Sequence, residues 1–389
     1  MSGTPSPQRH DVTTSPEAWD DLRTRLRATR WPAAPSGAGW SLGTDQEYLR
    51  HLVAYWADGF DWPARETEQA RVPRFRVRVR GVDVSFVHVR PVRASGAPPA
   101  LPLVLTHGWP DSSWRYSKVV GPLTDPGAHG ADPDDAFDVV VPDMPGFGHS
   151  VLPPDVVLDS VAVAGVWADL MDALGYDRYG AAGGDIGSAV TRFLALDHPE
   201  RLVGVHRMDA GLPVLTGDVA DLSPVERDWF ADVDRWRAAE GAYGAVHRTK
   251  PLTQAVGLTD SPAGLAAWVV EKLHAWSDPR TGIAAFTDDE VLTLLSTTWF
   301  TGTAGSSMRM YHANAAIPRA QHARRVEVPS GFSLFPGDIL RPPREWLDRV
   351  AHVVSVTEPP AGGHFAPFET PGRYAQELRD FFRPLRAGT

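Results

Sequence analysis

The 389-residue chain contains no cysteine, which removes disulfides, thiolate metal sites and a catalytic thiol from consideration. Lysine is scarce and stands only at Lys118, Lys250 and Lys272, so arginine carries nearly all the basic charge. No stretch approaches the roughly 18–20 uninterrupted apolar residues of a membrane span. The opening MSGTPSPQRHD has neither the basic nor the apolar region of a secretory signal. With 43% hydrophobic and 22% charged residues, a soluble, cytoplasmic globular protein is expected. The formal charge of -10 gives no basic face for nucleic acid. Neither nucleic acid nor membrane is expected as a partner, and a homo-oligomer stays open. At roughly 100–200 residues per domain there is room for one large domain with an insertion, or for two or three compact ones.

The first ten residues are polar and proline-containing, and the sequence predicts them to be mobile. From Ser15-Pro16-Glu17 a helix is expected, with Trp19, Leu22 and Leu26 on one face and an end at TRWP. A second is expected from Thr44 to Ala57, burying Tyr48, Leu52, Tyr55 and Trp56. RFRVRVRGVDVSFVHVRP alternates around Gly81 and reads as a hairpin at a sheet edge.

Short buried-strand runs then alternate with helices: LPLVLTHG, FDVVVPD, YGAAGGD and LVGVHRMD, with an amphipathic helix from Ser160 to Leu174. Such alternation specifies a parallel α/β sheet. It stops near Leu212, and up to about Val326 only helix signals appear, including the capping boxes Ser223–Glu226 and Thr287–Glu290 and the start Ser261-Pro262. GFSLFPGD, AHVVSVTE and a helix around Tyr374 to Phe382 resume the alternation. The expected architecture is a mostly parallel, doubly wound α/β sheet. Residues 1–74 form an N-terminal helical meander, 75–211 and 328–389 the core, and 212–327 a helical cap.

In an open parallel sheet, ligands bind beyond the carboxyl ends of the strands. The polar residues there are His107-Gly108-Trp109-Pro110, Asp185 in YGAAGGDIGSAV, Asp338 in FPGDIL and His364 in GGHFAPF. Asp185 sits in a glycine-walled turn between strand and helix, where many hydrolases place a nucleophilic serine. The order nucleophile, acid, histidine is that of the α/β-hydrolases. Asp209, at the end of LVGVHRMD, is the alternative to Asp338 as the acid. The plainer readings are a helix-capping turn for Asp185, a backbone-satisfied loop residue for His364, loop shaping for His107 and a structural role for Asp143.

The chain resembles the epoxide hydrolases of the α/β-hydrolase fold, and more closely the microsomal type with an N-terminal meander. DDLRTRLRATRWP, HGWPDS, PGFGHS, GGDIGS, LTDSPAGLAAW, GFSLFPGD and GGHFAPFETP occur in the expected order over about residues 15–385. Family members often have Trp at the position of Ile186 and Glu at that of Asp338. The membrane anchor of eukaryotic members has no counterpart in this sequence, so a soluble bacterial relative is expected. The resemblance implies Asp185 as nucleophile, His364 as the base that activates water and Asp338 as the acid that orients it. It also implies Trp109 and Ile186 as backbone N–H donors of an oxyanion hole, and Tyr243 (EGAYGAVHRTKP) and Tyr311 (SSMRMYHAN) as donors to the epoxide oxygen.

These residue types suit that chemistry. A carboxylate can attack a saturated carbon and form an alkyl ester, dividing one hard displacement into two easier steps. Epoxide opening throws negative charge onto oxygen in a dry pocket, which phenolic O–H donors can meet. The implied partners are a small-molecule epoxide and water, the product is a vicinal diol, and neither a cofactor nor a metal has a role. The tyrosine and tryptophan content of the cap suggests an apolar or aromatic substrate. The alternatives are a haloalkane or haloacid dehalogenase using the same Asp nucleophile, distinguished by halide release, and a catalytically silent ligand-binding relative, distinguished by binding without turnover.

Overall fold

The computed structural model describes residues 6–91 and 99–388. Nine strands form one sheet: β1 (Gln8–Arg9), β2 (Arg74–Val79), β3 (Val82–Val89), β4 (Leu101–Thr106), β5 (Phe137–Pro142), β6 (Tyr179–Gly183), β7 (Leu202–Arg207), β8 (Val326–Ser333) and β9 (Ala351–Thr357), in the order β1-β2-β3-β5-β4-β6-β7-β8-β9. β1, β2, β3 and β5 are joined by antiparallel pairings, and every neighbour from β5 through β4 to β9 is parallel. The strands β5, β6 and β7 are buried along their whole length, as expected of parallel strands covered on both faces.

Helix Pro16–Arg27 is capped by the Ser15 side chain and helix Gln46–Asp58 by Asp45. Pro16–Arg27 stops short of Pro32, at Ala28. Three details depart from the sequence reading. Residues 8–9, within the segment expected to be mobile, pair with Arg76 and Phe75; residues 1–5 of that segment lie outside the described residues. A third helix of the N-terminal segment, Trp62–Gln69, starts at an Asp61 cap with proline in its first turn. β8 begins at Val326 rather than at GFSLFPGD; Pro329 masks this start in the sequence pattern, and the register shifts between Val326 and Ser330.

Among the described residues, 212–325 contain helices and no strand. Both expected capping boxes are formed, on helices Pro224–Glu240 and Asp288–Thr301. The N-terminal helices grip this helical region. Trp56 is fully buried and its indole N–H donates to Ser296 Oγ at 2.9 Å, while the Tyr55 hydroxyl donates to Asp289 at 2.7 Å. Trp40 stacks on His274 with ring centroids 3.8 Å apart. No helix among the described residues is long and apolar enough to cross a membrane.

Candidate active site

β6 ends at Gly183, and two residues later Asp185 opens helix Ile186–Asp197 at φ 59°, ψ -129°. A side-chain-bearing residue at this φ stores strain of about 1–3 kcal/mol and is held there by its surroundings. Those surroundings are glycine. A Cβ on Gly187 would stand 2.1 Å from the Thr106 carbonyl oxygen, and one on Gly108 would stand 2.3 Å from Asp185 Oδ1. The two backbones can approach only without side chains, and the approach thrusts the Asp185 carboxylate out past the ends of the strands.

Asp185 Oδ1 accepts the Trp109 N–H at 2.9 Å, and the adjacent Ile186 N–H also favours the ionised carboxylate. Its Oδ2 lies 3.5 Å from His364 Nε2. Burial alone would raise this carboxyl, but His364 and the two N–H groups outweigh it and hold Asp185 below the usual carboxylate value. His364 Nδ1 is 2.7 Å from Asp338 Oδ1, which also accepts the Ile339 N–H at 2.7 Å. Burial works against the imidazolium, yet the Asp338 and Asp185 carboxylates push His364 up to about 10. Of the two acids left open by the sequence, Asp338 is therefore the one on the imidazole, and Asp209 bonds elsewhere.

Tyr243 lies on helix Ala242–Thr249 and Tyr311 on helix Ala304–Asn314. The Tyr243 ring stacks on Trp109 at 5.4 Å and meets the Tyr311 ring at 5.9 Å and 80°. Burial first, then the Asp185 charge, raises Tyr243; burial, Tyr243 and Asp185 raise Tyr311 well above the ordinary phenol value, so both keep their protons. The buried Tyr311 hydroxyl makes no well-formed hydrogen bond, which leaves it free to donate to a ligand. Asp185, His364, Asp338, Tyr243, Tyr311, Trp109 and Ile186 thus converge between the sheet ends and the helical region.

His107 donates from Nδ1 to Gly108 O at 2.9 Å and accepts the Met144 N–H on Nε2 at 3.0 Å, a neutral ring that shapes the loop. Asp143 accepts the Ser113 N–H at 2.6 Å and pairs with Arg74 at 2.7 Å. Trp276 packs edge-on against His364 at 5.3 Å, and Trp268 helps line a pocket with Trp109, Phe147, Leu258, Leu265 and Met308.

The sequence reading missed what supports His364. Its N–H donates to Trp276 O at 2.8 Å. Its carbonyl accepts from the fully buried Arg115, whose other nitrogen pairs with Asp111 at 2.9 Å. Glu369 accepts the N–H groups of Gly363 at 3.1 Å and Phe365 at 3.0 Å, and that of Asp278 at 2.8 Å. The i, i+4 spacing of Asp111 and Arg115 was the available signal for the ion pair; nothing local pointed to its target.

Residues 7–116 match a family described as epoxide hydrolase N terminus, and residues 102–255 match the alpha/beta hydrolase fold. A putative epoxide hydrolase of Stigmatella aurantiaca is 38% identical over 375 residues, covering 95% of this chain and 83% of that protein. The chain belongs to the epoxide hydrolases. Epoxide hydrolase 1 of Sus scrofa is 30% identical over 400 residues, covering 95% of this chain and 87% of its own length. Among solved structures, juvenile hormone epoxide hydrolase from the silkworm Bombyx mori superposes with a TM-score of 0.85 at 26% identity, covering 98% of this chain and 95% of that one. The Aspergillus niger epoxide hydrolase also gives 0.85, at 27% identity, covering 99% and 98%. The epoxide hydrolase fold and family are those that the resemblance to the microsomal type implied.

Proposed function

We propose that this epoxide hydrolase opens an apolar or aromatic epoxide through an alkyl ester on Asp185. The observation that carries the reading is a single carboxylate held from both sides. Trp109 N–H fixes Oδ1, His364 Nε2 faces Oδ2, and two protonated phenols stand across the pocket.

In the resting site Asp185 is ionised and His364 is protonated. Asp185 attacks one epoxide carbon, the C–O bond breaks, and a proton from Tyr243 or Tyr311 goes to the departing oxygen. Ester formation removes one of the two carboxylates that hold the His364 proton, so the imidazole becomes less basic and its proton can return to the tyrosinate. The neutral ring, kept in orientation by Asp338, then takes a proton from water, which attacks the ester carbonyl. The oxyanion is met by the N–H groups of Trp109 and Ile186, each such donor being worth about 2.7–4 kcal/mol in other enzymes. On collapse the ester C–O bond breaks, the departing oxygen takes the proton of the hydroxyl that water added, and the diol leaves an Asp185 carboxylate facing the His364 imidazolium. Next to Trp109, a pocket whose lining mixes Phe147, Leu258, Leu265, Trp268 and Met308 with the polar Asp111, Thr298, Thr303 and Ser307 supports a substrate with a hydrophobic substituent.

The test is single-turnover hydrolysis of styrene oxide in water enriched in heavy oxygen, with mass analysis of the peptide that contains Asp185. Label in that carboxylate together with diol is the expected result. Diol with an unlabelled peptide would mean direct attack by water, and the ester route would be wrong.

A further inference from the structure

Asp209 follows β7 by two residues and is buried beneath the elbow, but it does not touch the imidazole nitrogen that Asp338 occupies. Its Oδ2 accepts the backbone N–H of Asp185 itself at 2.8 Å, and its Oδ1 accepts the Gly211 N–H at 2.7 Å. Its main-chain carbonyl accepts from Ser188 Oγ, also at 2.7 Å, which fastens it to the first turn of the helix that Asp185 opens. The N–H of a residue at φ 59° belongs to neither the β6 ladder nor the helix, and buried it requires an acceptor. A neutral oxygen would satisfy that requirement. The chain instead places a carboxyl group there, within electrostatic reach of Asp338 and Asp185, and burial and Asp338 push it up to about 6, so that it is charged above that pH.

We propose that Asp209 is a positioning residue that acts on the reaction through its charge as well as its hydrogen bond. It pins the elbow, raises the nucleophilicity of Asp185 and strengthens His364 as a base. The inference rests on the alkyl-ester reading above. A carboxylate close to the Asp185 carboxylate raises the energy of the ionised nucleophile, and the repulsion is relieved as Asp185 becomes a neutral ester. An interaction that disfavours the ground state and fades along the reaction speeds that step. The same field favours the His364 imidazolium, which forms again when water is deprotonated.

Charged and titratable groups face Asp209 from several elements, cations among them. Asp338, Asp185 and His364 act on it directly, Arg207 on β7 feels it, and so do the phenols of Tyr116 and Tyr374. Arg207 lies over the Phe332 ring at 4.5 Å, and the Asp209 carboxylate favours its charged form. Burial and the Asp338 carboxylate raise the Asp209 carboxyl.

The experiment compares wild type, Asp209→Asn and Asp209→Ala in rapid-quench single turnovers of styrene oxide from pH 5 to 10, following ester formation and ester hydrolysis separately, with melting temperatures measured alongside. Asn keeps an oxygen for the Asp185 N–H and removes the charge. It is expected to slow ester formation about tenfold and to move the acid limb of ester hydrolysis about one pH unit lower, the equivalent of about one pKa unit of interaction. Ala, which also loses the acceptor, is expected to slow ester formation further. Asn with wild-type rates and an unmoved limb would overturn the proposal. So would Asn and Ala falling together with the limb unmoved, since Asp209 would then only hold the backbone. A wild-type enzyme that forms diol but never loads the ester would overturn this inference and the reading beneath it together, an outcome visible before any variant is compared.

Discussion

Trp56, in the second N-terminal helix, donates its indole N–H to Ser296 Oγ at 2.9 Å, across 240 residues of sequence. The N-terminal segment is therefore part of what holds the helical region in place. Replacing Trp56 with Ala removes a fully buried ring and is expected to cost about 3–5 kcal/mol, the range for large aromatic truncations. Chemical denaturation gives the number, and a loss under 1 kcal/mol would contradict this account. Deleting residues 1–60 is expected to abolish soluble expression, which a soluble and active truncation would refute.

His364→Gln should leave the first step working and stop the second. Turnover is expected to fall by about 10²–10⁴-fold, the usual share of a general base. The Asp185 peptide should gain the mass of the epoxide, and intact-protein mass spectrometry after mixing reads the adduct directly. A slow variant that accumulates no adduct would place His364 before ester formation.

In the proposed reaction Tyr243 and Tyr311 serve one oxygen, so the two losses should not be independent. Each Phe replacement is expected to slow ester formation by less than the about 10²–10³-fold of a lone oxyanion donor, and the double replacement by more than either. Stopped-flow kinetics of the three variants test this. A double variant no slower than one single would leave a single phenol in the role.

Gly108→Ala addresses the nucleophile from the carboxyl end of the neighbouring strand β4. The new Cβ would stand 2.3 Å from Asp185 Oδ1 and 2.4 Å from Asp185 Cβ, with no other contact as close. The expected result is loss of ester formation with little change in melting temperature. Retained activity would mean that the loop yields without displacing the carboxylate.

The His364 pKa carries a pH signature of stability. Asp338 and Asp185 raise it from 6.5 to about 10 against the effect of burial. The folded protein thus holds a proton that the unfolded chain releases, and the stabilisation is full below about 6.5 and lost as pH rises through about 10. Urea midpoints at pH 6, 8 and 10 should decline more steeply for wild type than for His364→Gln. Parallel declines would show that other groups govern the alkaline slope.

What could be read in advance depended on how local its cause was. The capping boxes at Ser223 and Thr287 each need only four residues, and the sequence alone locates them. Asp185, Asp338 and His364 each follow a strand run, so their convergence could be anticipated from the geometry of parallel sheets. β1 could not be read, because Gln8 and Arg9 have no apolar pattern and become a strand only against Arg76 and Phe75. Trp62–Gln69 did carry signals, an aspartate cap and a first-turn proline, but its charged sequence lacks a broad apolar face. Which of Asp209 and Asp338 meets the imidazole was undecidable from order along the chain. The bond from Arg115 to the His364 carbonyl spans 249 residues and has no local trace.

The His364 N–H rests on the carbonyl of Trp276, the last residue of helix Pro262–Trp276, with Asp278 tied to the same loop through Glu369. Exchanging the helical region with that of a relative to change substrate preference would therefore also exchange part of the foundation of the imidazole. A chimera whose inserted segment includes Trp276 and Asp278 inherits a foreign support for the host histidine. One that ends before them keeps the host's own support and alters only the walls.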